Sequence, residues 1–251
     1  MHFTGLLWFI LTLAPLVVLQ RLLHREIQAV FLIFTRNRQL AVGLFSILFF
    51  PGVFLHELSH FFMAKLLRVR TGKISLIPAA LPDGKLQLGY VETAQTDIIR
   101  DSLIGLAPLI AGSLFVAFAG ISQMKLNVLW QVFAARYFEL FFQGILQITD
   151  IPDFYVWAYL IFAVSSTMMP SEMDRHAWLP FGLWVGILLA LAVFAGAGTW
   201  MLENLAPLLD GFFSAAAILF GLSALLHVVL ILPAMILHRA VVKVTGVDVK
   251  Y

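Results

Sequence analysis

The stretch His56-Glu57-Leu58-Ser59-His60 puts two imidazoles and a carboxylate within five residues. A four-residue separation sets both histidines on one face of an α-helix, one turn apart, where they can grip a single metal ion. Glu57 follows the first histidine and leans to the side of that face. From there it can take a proton from a metal-bound water without being a ligand itself. The surroundings sharpen the signal, because these groups lie in an apolar segment over residues 40–67. Ionisable groups in hydrocarbon are costly and are kept for function. The plain alternative is a chance pattern with the histidines satisfied by neighbouring helices. The spacing and the setting point instead to a zinc-site helix inside a membrane.

Composition supports that setting. The chain has 251 residues, is 61% hydrophobic and 12% charged, and has a mean hydropathy of +0.96. No soluble domain of this size hides so much apolar surface, so the class is polytopic membrane protein, all-α, in a single integral membrane domain over residues 1–251. The net charge of +2 is too small to suggest nucleic acid. The basic residues lie between apolar spans and read as topology signals. There is no cysteine, which excludes disulfides and thiolate zinc sites and leaves His, Asp or Glu to hold any metal. Residues 1–20 carry no Lys or Arg, so a first transmembrane helix is expected there rather than a cleaved signal peptide.

A helix needs about 20 apolar residues to cross a bilayer. Such spans read as residues 6–22, 40–66, 103–121, 154–169, 179–200 and 212–237. Residues 128–148 form a seventh candidate of a different kind. Gln131, Arg136, Glu139, Gln143 and Gln147 fall on one side of its helical wheel, and Arg136 and Glu139 stand at pairing distance. It is either an interfacial helix or a span whose polar face packs inside the bundle. The two histidines lie near one end of their helix, and an acidic cluster follows Met169. If both serve one metal they share a membrane surface, which requires residues 128–148 not to cross. That gives about six transmembrane helices with both termini on one side. Lys65, Arg68, Arg70, Lys73, Lys85 and Arg100, with Arg239, Lys243 and Lys250, would then be cytoplasmic, as the positive-inside rule favours. Arg21, Arg25, Arg36 and Arg38 run against it. The expectation is a multi-pass protein of the cell (inner) membrane with its active site toward the cytoplasm.

Between the second and third spans, Lys73-Ile74-Ser75-Leu76-Ile77 and Lys85-Leu86-Gln87-Leu88-Gly89-Tyr90-Val91 alternate, with Pro82-Asp83-Gly84 supplying turn chemistry. This predicts a short membrane-associated β-hairpin beside the histidine helix, against the alternative of a plain connecting loop. Its functional use would be an edge strand that holds an extended peptide. At about 35 residues the connection is too short for a separate domain. No internal repeat is visible.

A catalytic zinc site usually has three protein ligands and an open position for water. Asp97 and Asp101 lie in the loop, Asp150 and Asp153 on the other side, and His227 in the middle of the last span. The best supplier is residues 165–176, Ser-Ser-Thr-Met-Met-Pro-Ser-Glu-Met-Asp-Arg-His. A proline just after an apolar span, followed by acids, describes a helix broken at membrane depth, where irregular backbone survives only if buried or lining a cavity.

With these residues the sequence resembles the site-2 protease family of intramembrane zinc metalloproteases. The first motif is His56-Glu57-Leu58-Ser59-His60 in a transmembrane helix. The second is Gly105-Leu106-Ala107-Pro108-Leu109-Ile110-Ala111-Gly112, similar to the Gly-Pro-rich start of the helix after the hairpin. The third, from Thr167 to Asp174, is similar to the family's Asn-x-x-Pro…Asp-Gly motif that donates the aspartate ligand. It departs from that pattern: Thr167 stands where Asn is usual, Arg175 where Gly is usual, and the interval after Pro170 is short. The resemblance covers residues 40–200, with residues 1–39 and 201–251 as flanking helices. It implies zinc held by His56, His60 and Asp174, with Glu172 and then His176 as the other candidates for the third ligand. It implies a metalloendopeptidase in which Glu57 activates the zinc-bound water and returns the proton to the leaving amine. The substrate would be a membrane protein cut in or near its transmembrane segment. The competing readings are a non-proteolytic relative acting as a membrane scaffold or binding protein, and a small transporter with an ion site. The transporter reading lacks repeated halves.

Overall fold

Backbone polar groups have no water to bond in hydrocarbon, so long apolar runs fold as helices that satisfy them internally. The computed structural model of the chain describes residues 4–80 and 86–249. Helix α1 is Thr4–Thr35, α2 Arg38–Leu66, α3 Ile98–Phe118, α4 Leu126–Ala134, α5 Phe138–Leu146, α6 Phe154–Thr167 and α7 Trp178–Ala192. A single turn, α8 (Gly198–Trp200), precedes α9, Ala206–Thr245. The class is all-α with a small antiparallel β element. Among the described residues, the helical stretches Thr4–Thr35, Arg38–Leu66, Ile98–Gln123 and Trp178–Thr245 are long and apolar enough to cross a membrane. Helix α6 is apolar but shorter, at 14 residues. The stretch Trp178–Thr245 contains two of the spans expected from sequence, and the chain bends between them at Gly196, whose φ of +89° suits glycine.

Polar residues start the helices that matter for the site. The Asn37 side chain accepts from the N–H of Gln39 and Leu40, and Asp97 accepts from those of Ile99 and Arg100. Each satisfies N–H groups that a helix leaves open at its first turn. Helices α1 and α9 run parallel along their lengths, so as spans they would cross in the same direction, which the expected six spans with both termini on one side do not allow. The Gly5 N–H donates to Asp210 at 2.7 Å near one end, and Glu26 meets His238 at 2.6 Å near the other. Helix α2 is central, packing on α1, α3 and α6. Its Phe45, Phe49 and Val53 are buried with Leu23, Phe162 and Ile231. A second cluster joins Val116 and Ala119 to Ile161 and Val164, sealing the end of α3 against α6.

Helices α2 and α6 are parallel and unusually close. Tyr159 donates its hydroxyl to the Leu48 carbonyl, and a Cβ on Gly52 would fall on the Ala163 carbonyl oxygen and the Thr167 hydroxyl. Helix α2 is continuous through Pro51. Of the two roles that Pro51-Gly52 suggests, a kink or a close packing point, the structure uses Gly52 for packing.

The expected hairpin is present. Strand β1 (Thr71–Ser75) pairs antiparallel with β4 (Tyr90–Thr93), Ile74 opposite Val91, while β2 (Ala79–Ala80) pairs with β3 (Leu86–Gln87). The Pro82-Asp83-Gly84 turn lies outside the described residues. Leu76 and Leu88 pack against the Phe45–Phe49–Phe162 core, so the hairpin folds back onto the bundle. The expected helix at 128–148 is instead two helices of nine residues each, α4 and α5, broken at Arg136 with φ +62°. Neither buries a residue, which rules out a polar face packed inside the bundle. The break also removes Arg136 from the helix that holds Glu139, so the helical pairing of the two is not realised.

Candidate metal centre

His56 and His60 project from one face of α2, and their Nε2 atoms are 3.2 Å apart. Each ring is oriented by its other nitrogen. His56 Nδ1 meets the Thr167 carbonyl at 2.7 Å and His60 Nδ1 meets the Ile104 carbonyl at 2.8 Å. A carbonyl can only accept, so both Nδ1 atoms carry protons and both Nε2 atoms present lone pairs. This is the outer arrangement that fixes metal-ligating histidines. Two lone pairs facing at that separation repel unless a cation or a proton lies between them.

The third donor comes from the segment between α6 and α7. Asp174 Oδ1 lies 3.1 Å from His60 Nε2, and Oδ2 lies 3.6 Å from His56 Nε2. The three ligand atoms fall within 4.8 Å of one another. Their side chains are 13%, 9% and 15% exposed for His56, His60 and Asp174, so the site is largely but not completely enclosed by protein. Burial alone would raise the Asp174 pKa. With no metal bound and the imidazoles protonated at Nε2 as well, their hydrogen bonds outweigh it and hold the carboxyl well below the usual carboxylate range.

Local chemistry holds that segment against α3. The Ser171 N–H donates to Asp174 Oδ2 at 2.6 Å, and the Asp174 N–H donates to Ser171 Oγ at 3.2 Å, a reciprocal capping pair. A Cβ on Gly105 would collide with the Asp174 carbonyl oxygen, and one on Gly112 with the Met168 side chain. Ser102 donates to the Ala177 carbonyl at 3.3 Å, and His176 meets Asp101 at 2.7 Å. The Gly-rich turns of α3 are therefore the surface on which the aspartate segment lies.

Glu57 is buried on the flank of the histidine face, where the charges of His56, His60 and Asp174 all act on it. A Cβ on Gly89 would lie 2.8 Å from Glu57 Cγ and 2.9 Å from its Oε1. Only a bare backbone fits there, which brings the hairpin directly over the carboxylate.

Of the residues singled out from sequence, His56, His60 and Asp174 converge and Glu57 adjoins them. The other candidates are engaged elsewhere or lie outside the converging group. Asp97 caps α3, and the Arg100 backbone N–H draws its carboxyl below the ordinary range. Asp101 and His176 pair with each other, and Glu172 does not join the group. Asp150 and Asp153 precede the far end of α6, about 20 Å along its axis from Thr167. His227 bonds Ser166 and Ser223. Sequence reasoning missed the backbone contributions: the Thr167 and Ile104 carbonyls and the approach at Gly89. In the sequence Thr167 stands out only as a departure from a motif, yet its carbonyl orients His56.

Two imidazole nitrogens and one carboxylate oxygen, with both Nδ1 protons committed to carbonyls, make a donor set that fits a divalent metal with a coordination position left open. No family model, no curated protein and no solved structure matches the chain.

Proposed function

We propose that the protein is an intramembrane zinc metalloendopeptidase that hydrolyses peptide bonds in or near transmembrane segments of membrane-protein substrates. The observation that carries this reading is the convergence of His56, His60 and Asp174 within 4.8 Å, with the Glu57 carboxylate beside them in an apolar bundle. His56, His60 and Asp174 would hold the zinc, which when bound supplies Lewis acidity and a water acidified toward neutrality. Glu57 accepts the proton that leaves the attacking water and returns it to the departing amine. The carbonyls of Thr167 and Ile104 keep both imidazoles turned toward the site throughout. The β1–β4 pair offers a strand edge next to Glu57, where an extended stretch of substrate can be held by main-chain hydrogen bonds.

In this reading the chain is a multi-pass protein of the cell (inner) membrane, with α4 and α5 lying at the interface. The histidine end of α2 then faces the cytoplasm. The exposed aromatic residues of α4 and α5, among them Trp130, Tyr137 and Phe142, suit an interface. A second reading, a scaffold or binding protein of the same shape without metal, is favoured by the Ser171–Asp174 capping pair, which holds the aspartate segment by itself.

Elemental analysis of detergent-purified protein beside its His56→Ala variant separates the two. About one zinc per chain, absent from the variant, is expected of the enzyme. A Glu57→Gln protein should then keep the metal and lose cleavage of a transmembrane substrate. Metal-free protein in both preparations after zinc is resupplied would leave the scaffold reading.

A further inference from the structure

A helix leaves the carbonyls of its last turn without partners inside the helix, and where that end is buried no water replaces them. Helix α6 ends in this way. Ser165 and Ser166 are fully buried, and Val164 is the carbonyl that receives the closing N–H, from Met168. Two of the carbonyls that follow, those of Ser166 and Thr167, are taken by side chains from other helices. Thr167 receives His56 Nδ1 from α2, and Ser166 receives Gln20 Nε2 from α1. The Ser166 hydroxyl points to α9, where it meets His227 Nε2 at 2.9 Å. His227 Nδ1 lies 2.7 Å from the Ser223 carbonyl of its own helix, so Nδ1 carries the proton and Nε2 accepts from Ser166. The last turn of α6 is thus gripped on one side by the ligand His56 and on the others by Gln20 and His227, neither of which belongs to the converging donor group.

We propose that Gln20 and His227 are positioning residues for the metal centre: from α1 and α9 they fix the last turn of α6, so that the Thr167 carbonyl holds His56 in its ligating orientation. The inference rests on reading His56, His60 and Asp174 as a metal centre. An amide and an imidazole are costly to bury in an apolar bundle unless bonded, and both are bonded to one residue, the neighbour of the one that orients His56. Through this single turn, the α1–α9 pair gains a hold on a ligand carried by α2. The segment with Asp174 begins at the same turn, so a shift there would move two of the three donors together.

The test uses the full chain in detergent, with zinc affinity read by chelator competition and coordination geometry by the visible spectrum of the cobalt(II)-substituted protein. Gln20→Leu and His227→Phe are expected to weaken zinc binding about tenfold and to shift the cobalt bands. His227→Gln, which restores an acceptor for Ser166, should recover most of the affinity and the wild-type spectrum. A clamp that only stabilised the bundle would lower the melting temperature of both apolar variants and leave affinity and spectrum at wild-type values, and that result would overturn the proposal. Where an apolar variant does not fold, Ser166→Ala removes only the hydroxyl donor to His227. It should still weaken zinc binding, and unchanged binding there overturns the proposal as well. Wild-type protein that takes up no metal would instead remove the metal centre itself, and the positioning role with it.

Discussion

Two pairs of histidines within this bundle are built differently. His56 and His60 stand on one helix, each with Nδ1 tied to a carbonyl of another element and each with Nε2 turned to a common point where a carboxylate arrives. His24 and His227 stand on α1 and α9. His24 is enclosed by the rings of Phe45 and Phe49, and its Nε2 has no partner. His227 has both nitrogens bonded to serines. Burial alone therefore does not make a ligand. What distinguishes the first pair is that the backbone fixes one nitrogen so that the other is left free in a shared direction, and that an acid completes the set.

The sharpest way to break this contrast is to exchange the pairs. His60→Ala should strip the metal from the purified protein and abolish cleavage, whereas His24→Phe should keep full metal content. Equal metal in the two variants would erase the distinction between the pairs. Next in size is Glu57→Gln, which leaves all three donors in place. Cleavage should fall by about 10²–10⁴-fold with metal content unchanged, the loss typical of removing a general base. Activity near that of wild type would assign the proton transfer to another group.

A smaller effect is expected at the surface that carries the aspartate. Gly105→Ala drives a methyl group into the Asp174 carbonyl. Overpacking of this kind costs about 1–3 kcal/mol, to be read as a lower melting temperature together with weaker metal binding. Wild-type values for both would mean that the segment does not depend on α3. The smallest effect concerns acid. Because the carboxyl of Asp174 is held below the ordinary range, its pairings stabilise the fold at every pH above about 4 and are lost only as the pH falls toward the lowered value. Melting of the metal-free protein should show an Asp174-dependent loss of stability as the pH falls below about 4. The same acid dependence in Asp174→Asn would contradict the pairing.

Much of this was legible in the chain. Helix-forming apolar runs, the absence of cysteine and the four-residue histidine spacing do not depend on tertiary context, so the all-α membrane class and the face shared by His56 and His60 follow directly. Alternation around Ile74 and Val91 likewise pointed to the hairpin. The break at Arg136 was hidden, because a helical wheel drawn over residues 128–148 assumes the continuity that the left-handed residue interrupts. Backbone carbonyls were hidden for a deeper reason. Every residue has one, and only packing decides that those of Thr167 and Ile104 meet imidazoles. Gly105 was visible as part of a glycine–proline run, but its use became apparent only when Asp174 was found against it.

The length of α6 has a consequence for where the donors sit. Fourteen residues rise about 21 Å, whereas a hydrocarbon layer is about 30 Å thick. The missing length falls inside the bundle and not against lipid, because residues 161–166 are all buried. The chain can therefore leave helical geometry before it reaches a membrane surface, sheltered by protein on every side. A full-length helix would carry Asp174 past the depth of His56 and His60; the short one stops at their level.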